Sequence, residues 1–166
     1  MASAEVTYCH RWNSRRARPG SPITEDEARE SDAAGEEYTA IVPLPDRTYP
    51  ALVTVVGKKS YWSTTFLDAY GRETAKYIFD EREGRLFLHR VFLRTYADDT
   101  PGLLLSDAAR VEEVRIRPDG YMKRILIDKP KNEKITEEYS DVPVDSNWEP
   151  RPEFGAWSSI TRFERR

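Results

Sequence analysis

From Tyr38 onward, apolar and polar side chains alternate with a period of two, the repeat of a half-buried strand. YTAIVPL (38–44) and ALVTVVG (51–57) are β-branched and apolar, and PDRTYP between them supplies a turn. Three aromatic-rich runs follow between residues 61 and 96, cut by turns that end in Gly71-Arg72 and Gly84-Arg85. Glycine provides the positive φ such turns need. In RLFLHRVFL, the alternate positions Phe87, His89, Val91 and Leu93 are almost wholly apolar and are predicted to point inward. VEEVRIRPDGYMKRILID (111–128) is a hairpin around Pro118-Asp119-Gly120, and ITEEYSDVPV (135–144) continues the series.

Strands at this spacing, joined by short turns, predict a mainly β fold. The expectation is a single antiparallel meander that closes into a small barrel or a strongly curved sheet. Near the C-terminus, Pro150 and Pro152 rule out a central strand in WEPRPEF (148–154), which is expected to run extended or on a sheet edge. GAWSSITRF (155–163) resumes alternation and predicts a last strand. Trp148, Phe154 and Trp157 are then placed to fold back over the sheet and seal its core.

Residues 1–37 read differently. Thr24 and Glu27 have capping-box spacing, Glu25 and Asp26 suit a helix N-terminus, and Gly35 supplies a stop. This predicts one short helix over 25–34, with only alanines to bury, inside a polar N-terminal arm. The β domain is then 38–166.

Composition narrows the function more than it defines it. The chain has 166 residues, room for one core, with nine Tyr, six Phe and four Trp to fill it. With 26 basic and 29 acidic residues the net charge is -3, which argues against nucleic acid and anionic membranes as general partners. The single Cys9 and the lack of an apolar leader segment suit a cytoplasmic protein.

Candidate chemistry is sparse. Cys9 and His10 are adjacent and only His89 remains to join them, so no metal site and no cofactor is expected. His89, on the apolar side of its strand, is a core histidine or, in an enzyme, an acid or base tuned by burial. Tyr77, Tyr121 and Trp157 complete the set that would line a barrel holding a small hydrophobic molecule, with cyclisation or isomerisation as the chemistry such a pocket supports.

The turn segments LDAYGRET, FDEREGRL and RPDGYMKR together resemble the YD-type β-meanders of bacterial Rhs-like toxin systems and some of their small immunity partners, although YD arrays run far longer. The resemblance implies a non-enzymatic protein that binds another protein in an immunity or accessory role. The contact surface expected for that role is Arg90, Phe92 and Arg94 together with Trp148 and Trp157, since Trp and Arg concentrate at interface hot spots. Ligand barrel and protein-binding module are the two readings carried forward.

Overall fold

The structure, a computed structural model, describes residues 4–101 and 104–165. Its strands are β1 (Thr7–Asn13), β2 (Arg18–Ile23), β3 (Glu37–Val42), β4 (Ala51–Val56), β5 (Tyr61–Leu67) and β6 (Glu73–Arg82). They continue as β7 (Arg85–Thr95), β8 (Arg110–Ile116), β9 (Met122–Asp128), β10 (Glu133–Tyr139) and the short β11 (Trp148–Pro150). All belong to one antiparallel sheet in the order β10-β9-β8-β7-β6-β5-β4-β3-β1-β2, with β11 paired to β7. The expected meander is present from β3 to β10. It does not close: β2 and β10 are its free ends, so the barrel alternative is corrected to an open sheet. Both ends are blunted against further pairing, β2 by Pro19 and Pro22, and β10 by Glu133, Lys134, Glu137 and Glu138.

Helix α1 (Glu25–Ala34) forms where its capping signals place it. The Thr24 hydroxyl accepts from the Glu27 amide, the Glu27 carboxylate accepts from the Thr24 amide, and Gly35 ends the helix at φ 71°. The leader around it is no arm. Tyr8 and Cys9 of β1 are 5% and 0% exposed, and β1 lies hydrogen-bonded between β3 and β2. Two buried side chains amid basic residues give too weak a period to be read from sequence, yet they suffice once β3 offers a free edge.

The inward face of RLFLHRVFL also needs correction. Phe79 lies opposite Leu88 and Ile78 opposite Arg90, so His89 is an extra residue, a β-bulge that resets the alternation. Leu86 and Leu88 enter the main core, whereas Phe87 points to the other face and is packed by Trp148 at a ring-centroid distance of 4.9 Å. The bulge is also a branch point. Before it, residues 85–87 pair with β11; after it, residues 90–95 pair with β8.

One face of the sheet carries the main core, including Tyr38, Val53, Val55, Trp62, Phe66, Tyr77, Phe79 and Leu86. Helix α1 and the C-terminal segment 151–165 cover it. That segment forms turns and not the predicted last strand. Its backbone is held by side chains of the sheet: the Thr64 hydroxyl donates to the Ile160 carbonyl at 2.8 Å, and the Tyr77 hydroxyl to that of Phe163. A segment that takes hydrogen bonds from a sheet face has no need of a strand neighbour. Trp157 lies against Tyr38, Trp62 and Phe154. The buried Glu149 of β11 accepts from both Arg162 and Arg165, which ties the end of the chain down.

Candidate functional site

The opposite face of β3–β6 bears a different set of side chains, of which Thr39, Ser63, Leu52 and Leu67 are buried at the bottom of a hollow. Pairing aligns Thr39, Thr54 and Ser63 in one cross-strand row, and Leu52, Thr65 and Lys76 in the next. Glu37, Val56 and Tyr61 form a third row on the same face. These rows floor a trough of about 800 Å³. That volume is within the range of small-molecule sites.

The floor mixes apolar and hydroxyl surface. Leu52, Leu67, Val56 and Tyr61 supply the apolar part, and the hydroxyls of Thr39 and Thr54 lie 3.1 Å apart in a hydrogen bond. A hydroxyl can donate or accept, so this row suits carbonyl or hydroxyl groups on a ligand without fixing which. Beside the floor, in the row of Thr39, Cys9 packs with Ile41, Leu52 and Leu67, and burial pushes its thiol pKa up, which keeps it a small apolar side chain.

Charged groups stand at the rim. Arg11 pairs with Glu37 at 2.9 Å, and Glu73 pairs with Arg94. Burial raises the Glu73 pKa against the opposing pull of Arg94 and Lys76. Leu104, Leu105 and Ser106 lean over one side; the two leucines are 39% and 48% exposed. The loop carrying them is anchored by Arg72, which is itself buried. Its guanidinium bonds Asp68 at 2.8 Å, lies over the rings of Tyr70 and Tyr96, and donates to the carbonyls of Asp98 and Thr100. The Tyr96 hydroxyl donates to the Glu73 carbonyl, and its pKa is pushed up to about 12 by burial.

None of the residues expected to line a barrel lines this trough. Tyr77 and Trp157 belong to the main core. His89 and Tyr121 meet instead at a second hollow of about 580 Å³ beside the bulge. Burial lowers the His89 pKa, opposed by Asp80. The expected contact surface is divided as well. Arg90 and Arg94 lie over Phe92 at 4.6 and 4.7 Å, forming one group. Trp148 packs on Phe87 under Arg85, and Trp157 is 2% exposed within the core of the opposite face. The trough's own signal was the alternation of Thr39, Thr54, Ser63 and Thr65 with bulky apolar neighbours. In sequence that pattern reads only as strand propensity, because hydroxyls suit strands wherever they face.

Among the described residues, no cluster of His, Cys, Asp or Glu has the composition of a metal site, and no helix is long and apolar enough to cross a membrane. Comparison with protein-family models, with curated proteins and with solved structures gives no match for this chain.

Proposed function

We propose that the protein binds a small, elongated, amphipathic molecule in the trough on the open face of β3–β6. The observation that carries this reading is the juxtaposition of a continuous hydroxyl row with Leu52, Leu67, Val56 and Tyr61 in a hollow large enough for a ligand. The ligand's apolar body rests on the aliphatic and aromatic floor, its oxygen functions engage Thr39, Thr54, Ser63 and Thr65, and Leu104 and Leu105 shield it from one side. This keeps the ligand reading of the sequence while moving the site to different residues. The division of Arg90, Phe92, Arg94, Trp148 and Trp157 between separate regions favours it over a single protein-contact surface.

Native mass spectrometry of the protein purified from its host tests the proposal, together with titration of an environment-sensitive apolar dye. The expected result is a co-purified small molecule, or saturable dye binding that Thr65→Phe abolishes by filling the floor. Thr65→Phe keeps a residue type that strands favour, so an unchanged melting temperature confirms that the fold survives. A ligand-free protein that binds the dye no better than Thr65→Phe refutes the assignment.

A further inference from the structure

The register of β7, β8 and β9 places Arg90 directly opposite Arg115, and Arg115 directly opposite Lys123. Three cations therefore stand side by side in one cross-strand row on the face that also carries the trough. Like charges directly opposite each other destabilise a sheet, so such a row is not what folding alone selects. Arg82 and Arg117 stand at the ends of the same hollow, with His89 and Tyr121, and no carboxylate lines it.

The acidic groups nearby orient these cations without covering them. Glu113 receives Arg90 and Arg115 through a single carboxylate oxygen, at 2.7 and 2.6 Å. Arg115 uses only its Nε there, and its two Nη groups make no other hydrogen bond among the described residues. Asp80 holds Arg82, and Asp119 holds Arg117. Glu138 lies opposite Lys123 across the β9–β10 pair, but its carboxylate accepts from the Tyr121 hydroxyl at 2.8 Å. Lys123 forms no ion pair among the described residues. The result is a shallow basin of guanidinium and ammonium donors that are held from the side by neighbouring carboxylates and open in front.

We infer that this basin is a binding site for a small polyphosphate or a compact phosphorylated ligand, separate from the trough. Guanidinium groups match phosphate oxygens in pairs, and charge-assisted bonds of this kind are the strong ones. Neighbouring strands are about 4.8 Å apart, so the row from Arg90 to Lys123 spans about 10 Å, the reach of a few phosphate groups. A polymer would need the positive track to continue. Here it stops at Glu138 on one side and meets Ile78 on the other, in a chain with a net charge of -3.

Calorimetric titration with inorganic pyrophosphate is the test, with sodium chloride at matched ionic strength as the blank. The site predicts saturable one-to-one binding. The double variant Arg115→Gln/Lys123→Gln should weaken it about tenfold or more, since two charge-assisted contacts are lost. Lys58→Gln, a surface change in the turn that follows β4, and the trough variant Thr65→Phe should leave it unchanged. Absence of saturable binding at millimolar pyrophosphate overturns the inference, as does an equal loss in Lys58→Gln. Tighter binding of a short single-stranded oligonucleotide than of pyrophosphate also overturns it, in favour of a nucleic-acid surface.

Discussion

Trp157 touches three aromatic side chains, Tyr38, Trp62 and Phe154, at centroid distances of 5.7–6.4 Å, and no strand holds it in place. Its position depends on packing and on neighbouring bonds such as Thr64 to Ile160. Replacing it with alanine leaves a large void between the C-terminal segment and the sheet that neither can readily fill. Trp157→Ala is expected to cost about 3–5 kcal/mol in chemical denaturation. Trp148→Ala should cost much less, because Trp148 is partly exposed and rests on Phe87 alone among the aromatics. Equal costs would show that the tail is not a core element. Sequence offered both tryptophans as core-sealing residues and as members of one contact surface, and had no means to place them on different faces. His89 shows the same limit: period two carries a side-chain direction only as far as the next bulge, and no residue type announces one.

The elements themselves were largely legible. β3 to β10 came from alternation and turn chemistry, and α1 came from its caps, because those signals are local. β1 and β2 were not, because their stability derives from a partner distant in sequence. The strands also differ in what they bury. β5 and β6 are enclosed between the tail and the trough, whereas β10 has only Glu137 even partly buried, and β9 buries Leu126 alone. Local opening free energy follows such burial. Native-state hydrogen exchange should find amides of β5 and β6 slower than those of β9 and β10 by on the order of a hundredfold or more. Uniform protection across the sheet would mean that β8–β10 is stabilised by something other than its own burial, such as a second copy against its open edge.

At the scale of the molecule, the sheet has two faces with opposite requirements. The core face is too apolar to remain open, carrying Tyr38, Trp62, Phe66 and Phe79, all with 0–1% exposure. The other face carries the trough and the cationic basin, with Trp12 and Leu104–Ser106 at the sides of the trough. The C-terminal segment is what makes the first face compatible with water. It contributes Phe154, Trp157, Ile160 and Phe163, and it is locked by the buried pair of Glu149 and Arg165, which the more exposed Arg162 joins from the solvent side. A chain that stops after Pro150 therefore keeps every strand but loses the cover from most of its core. It is expected to bind 1-anilinonaphthalene-8-sulfonate strongly and to unfold without a cooperative transition, while far-ultraviolet circular dichroism still reports β structure. The trough cannot substitute for this cover, because its hydroxyl floor tolerates solvent and the aromatic face does not. Cooperative unfolding of the shortened chain at the full chain's midpoint would show instead that the sheet stands alone and that the tail is an addition to a finished core.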